Sequence, residues 1–311
     1  MGGTTLRFRS EFRLGGALLL LLAAALTAGA PARGAAPTLK WKFSAGEALH
    51  YQMDQKAVTE LKANGQSSKT TVTQTLDTTW HVQTVDASGA AEMVLSIDRM
   101  QTKIESPFGP VEYDSKSTKQ PEGAIAAGVI PVYKTLIGAK FKYKISPNGE
   151  LSDIQVPEGL MKSLREAGPT ANAGMFSEDG LKNMIRESSL LIPETLDKPW
   201  TRQKKIPAPP IGTQTEDWTF KYEGKENDED KIGVEVKVGL EPAADSKFDA
   251  KISSQEGKGN FYFDAKVNRV VRSHVVRKLV MVIKVMGNEV SQSQDATTDI
   301  KLVKVDPPAA K

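Results

Sequence analysis

The chain contains no cysteine among its 311 residues. That excludes a disulfide framework, a thiolate metal site and acylation of a lipobox cysteine, so an ordinary apolar core must supply the stability. Aromatic residues are scarce, at 6%. This argues against a cleft that stacks sugars, although Trp41, Trp80, Trp200 and Trp218 are available. A Gly-x-Ser-x-Gly elbow, a phosphate-binding loop and a dinucleotide fingerprint are all missing. The longest apolar run, Leu14 to Leu26, is shorter than the roughly 20 residues that span a bilayer.

That run has a charged preface, Arg7, Arg9 and Arg13, and ends in small residues. The pattern is that of a secretory signal peptide over residues 1–34, with a retained anchor helix as the alternative. Pro31 disfavours cleavage after Ala28-Gly29-Ala30, so Ala32-Arg33-Gly34 is the better site and the mature chain is expected to begin near Ala35. Export to the periplasm or the extracellular space follows. The leader carries four of the 41 lysines and arginines and one of the 38 acidic residues, leaving 37 of each. A neutral mature chain offers little to nucleic acid or to an anionic membrane surface, so neither is expected as a partner, and the mature chain has no transmembrane helix to predict.

Beyond the leader, the pattern predicts a single β-rich domain over residues 35–311. An N-terminal meander spans 39–116: Leu49, Tyr51 and Met53 alternate with polar neighbours, and Asn64-Gly65 marks a tight hairpin. Residues 120–195 change period and read as a helical middle interrupted by one hairpin. Ile125, Val129, Val132, Tyr133 and Leu136 share a helical face that Pro131 must kink or open. Phe141, Tyr143 and Ile145 alternate with Lys140, Lys142 and Lys144, the solvated face of a strand. Two short helices follow, one opened by Pro157, the other capped by Ser177 with Leu181, Met184, Ile185 and Leu191 on its buried stripe. Residues 205–212, around Pro207-Ala208-Pro209-Pro210, read as an extended proline-rich spacer. A C-terminal β segment, 216–305, completes the chain, with Gly287-Asn288 as its last turn. The class is α+β, mostly antiparallel β: one large curved, half-barrel-like sheet with a few short helices inserted mid-chain.

No catalytic, cofactor or metal residues are predicted. His50, His81 and His274 each stand alone in a strand. The acidic run Glu226-Asn227-Asp228-Glu229-Asp230 fails as a calcium loop, because Ile232 and Gly239 occupy ligand positions. It reads as a solvated hairpin tip. In Leu279 to Val285, Leu279, Met281, Ile283 and Val285 fall on one face and Val280 and Val282 on the other. A strand apolar on both faces needs cover from helices, a partner or a ligand, which makes Val280 and Val282 the candidate ligand-facing residues.

Several turns then combine. Phe43-Ser44-Ala45-Gly46-Glu47 ahead of Tyr51, Glu105-Ser106-Pro107-Phe108-Gly109 ahead of Tyr113-Asp114-Ser115, Ile145-Ser146-Pro147-Asn148-Gly149-Glu150 and Gly259-Asn260-Phe261-Tyr262-Phe263-Asp264 together resemble an uncharacterised family of exported β-rich proteins frequent in planctomycete-type bacteria, a domain of unknown function. The resemblance covers most of the mature chain and implies location and fold; it brings no activity and no site residues. The strand pattern is also similar to the half-barrel of periplasmic lipoprotein carriers, a fold-level analogy. Three readings stay open: an envelope protein binding a hydrophobic or lipid-like ligand in the concave face of the sheet; an assembly component acting through contacts with an envelope protein; and an enzyme with dispersed catalytic residues.

Overall fold

The computed structural model describes residues 37–166, 176–186, 188–208, 211–243, 248–285 and 288–308, all within the unit Ala35–Lys311. The expected leader, its cleavage point and Gly287 lie outside the described residues.

Period-two sequence becomes strand over most of this length. β1 (Ala48–Ala63) and β2 (Gln66–Val85) are joined by Asn64 and Gly65 at φ 51° and 75°. Those two left-handed residues twist the turn to match its strands. β3 (Ala91–Glu105) turns into the short β4 (Val111–Asp114), and α1 (Ala124–Leu136) contains Pro131 as expected. The hairpin β5 (Lys140–Ile145) and β6 (Leu151–Gln155) precedes α2 (Glu158–Glu166) and α3 (Glu178–Arg186). β7 (Trp200–Ala208), β8 (Gly212–Glu226), β9 (Glu229–Pro242), β10 (Phe248–Asp264), β11 (Arg269–Val285) and β12 (Asn288–Asp306) finish the chain. The strands form one antiparallel sheet in the order β6-β5-β3-β2-β1-β12-β11-β10-β9-β8-β7, with β4 paired to β3. The large curved sheet with three short mid-chain helices is therefore the fold that forms.

Side chains reach over intervening strands on one face. The Tyr51 hydroxyl on β1 donates to the Val270 carbonyl on β11 at 2.9 Å, and Arg277 on β11 reaches Glu216 on β8 at 2.9 Å. That face is the inside of the curve. Glycines allow the bend: a Cβ on Gly259 would stand 2.2 Å from the His274 carbonyl oxygen, and one on Gly257 2.5 Å from that of Val236.

The core fills only one half of the concavity. There Trp41 stacks on Phe43 and Trp80 and meets Phe263 edge-on, while its indole donates to the Leu190 carbonyl at 3.0 Å. Trp41 N–H also donates to Pro147 and Lys42 N–H to Asn268, so the segment ahead of β1 ties the β5–β6 turn to the β10–β11 turn. We call this end, where β1 starts and β12 stops, the base. The helices serve the same side of the chain: α1 packs on β4 and α2, and α3 on β6. Ser177 caps α3 as expected, accepting from Gly180 N–H at 3.1 Å. Met184, expected on the buried stripe of α3, is 41% exposed.

The expected spacer is also different. Residues 205–208 complete β7, with Pro207 opposite Thr213, and Gly212 opens β8. Proline is tolerated there because, among the described residues, β7 ends the sheet and no further strand asks for its N–H. Pro209 and Pro210 lie outside the described residues.

Candidate ligand-binding face

Away from the base the strands run on as an open half, and their register decides what lines it. On the inner face Met53 stands between Leu76 and Ile300, Gln55 between Gln74 and Thr298, Ala57 between Val72 and Ala296, and Thr59 between Thr70 and Gln294. The rows continue outward: Gln294 to Leu279 and Gln255, Gln292 to Met281 and Ile252. No inner position of β1, β2 or β12 from those of Met53, Leu76 and Ile300 out to the β1–β2 turn is charged. One residue along, the outer rows read Asp54 with Asp299, Lys56 with Thr297, Lys278 with Asp295 and Glu256. Charge is thus kept on the convex side, while methyl groups, hydroxyls and carboxamides cover the concave side.

A charged cluster on β8 and β11 is one exception. Glu216 is 2% exposed and accepts from Arg277 Nη1 at 2.9 Å, Trp218 Nε1 at 3.1 Å and Gln214 Nε2 at 3.2 Å, with Lys204 Nζ at 4.0 Å. Three donors and the nearby Lys204 ammonium compensate for taking the carboxylate out of water. Beside it β9 and β10 part. Their ladder covers only Asp230–Glu235 against Lys258–Phe263, although β9 stays paired with β8 to Pro242 and β10 with β11 from Phe248. Into this fork reaches Gln255: Val238 N–H donates to its Oε1 at 2.6 Å, and its Nε2 donates to the Val238 carbonyl at 3.0 Å. The same walls enclose a cavity of ≈ 30 Å³, space for about two water molecules and too little for an acyl chain.

Val280 and Val282 alternate with Leu279, Met281 and Ile283, so they lie on the convex face, half-buried beside Ser293 and Ser291. The concave partners of the same strand are Leu279 and Ile283, each 8% exposed. The histidines are not brought together. His50 lies between Asp306 at 2.8 Å and Thr79 at 2.9 Å, but the Thr79 hydroxyl donates to Asp98 at 2.5 Å, so its proton is not aimed at the ring. His274 pairs with Asp299, and His81 is exposed. Among the described residues no three His, Asp or Glu side chains converge as a metal set, and no helix is long and apolar enough to cross a membrane.

A separate polar cleft of ≈ 460 Å³ opens between β2, β3, β4 and residues 117–121 on the convex side. Its Asp114 receives Arg99 Nε at 3.1 Å and Nη2 at 2.6 Å. The guanidinium, helped by the Lys116 N–H, lowers that carboxyl to about 2. The acidic tip holds a surprise. Asn227 and Asp228 turn in solvent, whereas Asp230 is fully buried and accepts from the Tyr222 hydroxyl at 2.8 Å. Burial, with that hydrogen bond behind it, pushes Tyr222 up to about 12. The buried Glu216 and Asp230 were findable in the sequence, since both continue a period-two inner row: Glu216 with Trp218 and Phe220, Asp230 with Ile232 and Val234. Reading the acidic run by polarity alone placed Asp230 outside.

A family model described as a family of unknown function (DUF6263) matches residues 88–269. No curated protein matches the chain. Among solved structures, one from work on lipid–protein interactions in lipovitellin is similar over 87% of this chain, at 11% identity and a TM-score of 0.49. This chain spans 26% of that one. A DUF1329 family protein from Desulfovibrio piger is matched over 86% of this chain and 88% of its own, at 11% identity and a TM-score of 0.16. Neither score reaches 0.5, so the functional reading rests on the residues of this chain.

Proposed function

This chain belongs to the DUF6263 family, a family of unknown function, and we propose that it is an exported, non-catalytic binding protein that holds an uncharged, lipid-like ligand against the concave face of its open half. One observation carries this reading: charge is excluded from the inner rows of β1, β2 and β12 and crowded onto the outer rows of the same strands. A strand bathed by water on both faces has no reason to sort its residues so. Keeping lysine and aspartate off one face is what an apolar or weakly polar occupant requires, because an unpaired charge beneath it would have to be desolvated. The carboxamides and hydroxyls of Gln55, Gln74, Thr59 and Thr298 suit an ester or amide along the ligand. Leu61 and Phe108, 43% and 86% exposed, sit at the far end of the open half, where an apolar chain would enter.

The test is uptake of a fluorescent long-chain acyl probe by delipidated protein. Ala57→Glu places a charge in the middle of the concave rows and is expected to abolish uptake. Val58→Glu and Val282→Asp place the same kind of charge on the convex face and should leave it intact, with thermal unfolding confirming that all three variants fold. Absence of uptake by the wild type, or equal loss in the convex variants, would overturn the reading.

A further inference from the structure

We propose that the fork between β9 and β10 is a strand-addition site, and that its occupant is an extended segment of a partner polypeptide, about six residues long, alternating apolar with uncharged polar side chains. The argument begins with the backbone. Val238 turns both its N–H and its carbonyl toward β10, where Gln255 meets them at 2.6 and 3.0 Å. The Val236 carbonyl points the same way, since a Cβ on Gly257 would lie 2.5 Å from it. By the two-residue period of a strand, Leu240 presents its own N–H and carbonyl to the same side. Yet no β9–β10 ladder exists beyond Glu235 and Lys258 among the described residues.

The carboxamide of Gln55 or Gln74 has no such role; that of Gln255 reproduces the donor and acceptor of one peptide group. It satisfies one residue of an edge that offers more than one. An entering strand would replace this single side-chain pair by a run of main-chain hydrogen bonds, and would return Gln255 to solvent at little loss. Hydrocarbon cannot do this, because it has neither donor nor acceptor for the Val238 backbone. The flanking side chains set the sequence preference. Val236, Val238 and Ile252 face the concave side, so alternate residues of the occupant are apolar, while Lys237, Glu241, Asp249 and Lys251 on the convex side carry both signs and ask for no net charge. The site is independent of the acyl-binding reading, which is centred on β1.

The probe is a fluorescein-labelled, blocked heptapeptide of alternating threonine and valine, with the same peptide N-methylated at alternate residues as control. Binding is measured by anisotropy on the wild type, on Gln255→Ala and on Ala57→Glu, with hydrogen exchange on the complexes. The wild type should bind, Gln255→Ala about tenfold more tightly because the internal competitor is gone, and Ala57→Glu like the wild type. Exchange should slow at residues 236–241 and 249–255, and the N-methylated peptide should fail. No binding by either the wild type or Gln255→Ala overturns the proposal. So does equal binding of the N-methylated peptide, or protection confined to the outer edges β6 or β7. Protection of the same amides in protein alone as its concentration rises would identify a second copy as the occupant, which also overturns it.

Discussion

Glu216 shows how one residue can be fixed by its neighbours. Its carboxylate is buried among Arg277, Trp218, Gln214 and Lys204, so removing one donor leaves charge without full compensation. Arg277→Met is expected to lower stability by about 2–3 kcal/mol in urea unfolding, less than for a fully buried pair because 32% of the Arg277 side chain remains in water. Adding Glu216→Gln to that variant should recover part of the loss, a coupling that the double-mutant cycle reads directly. Asp114 offers the complementary case at the surface. Its folded-state carboxyl lies below the ordinary 3.8, near 2, so its pairing with Arg99 stabilises fully above the ordinary value and is lost as pH falls through the lower one. The difference in unfolding midpoint between the wild type and Asp114→Asn should hold steady down to about pH 5, narrow as pH falls toward 2 and close by about pH 1. A gap that persists to the lowest pH would mean that the hydrogen-bond geometry, not the charge, is what matters.

At the scale of elements, the turns divide into those that merely reverse the chain and those that dock. Gly109 and Gly149 both have positive φ, 103° and 85°. A Cβ on Gly109 meets nothing within 4 Å, whereas one on Gly149 would stand 2.1 Å from the Leu190 carbonyl oxygen. Gly149→Ala must therefore also displace residues 189–192, which hold the turn through Ser189 to the Gly149 carbonyl and Ile192 N–H to the Asn148 carbonyl. Gly109→Ala should cost about 1 kcal/mol of strain and Gly149→Ala about 3 kcal/mol, read from urea midpoints. Elements of this kind were largely legible in the sequence. Lys140, Lys142 and Lys144 alternating with Phe141, Tyr143 and Ile145 give the observed exposure of β5 residue by residue, because period two is a local property. The end of β7 was not legible, since whether Pro207 terminates a strand depends on there being no neighbour beyond it, a fact about the sheet and not about the proline. The candidate face was half legible. The doubly apolar segment Leu279 to Val285 was visible, but which of its faces is concave follows from the curvature that Gly257 and Gly259 permit.

For the whole molecule, residues 1–34 were read as an export signal, and the mature chain is expected to start near Ala35. N-terminal sequencing of exported material checks this; an intact Met1 end in the membrane fraction would contradict it. The order of the sheet has a consequence for how such a chain reaches its native state. β1, the first strand, pairs along its whole length with β12, the last, from Ala48 opposite Asp306 to Ala63 opposite Val290. This central seam joins two halves, β1 to β6 and β7 to β12, each paired among its own strands, and closing it requires strands from opposite ends of the chain to find one another across everything between them. Loop closure of that span is slow. Until the final residues arrive, β1 and β11 each present a long open edge in the middle of what will become the sheet, a condition in which chains pair with one another as readily as with themselves. The nineteen residues of β12, Asn288–Asp306, thus decide between a sealed sheet and an aggregate, and a stop codon just before β12 should yield insoluble protein although every other described strand is present.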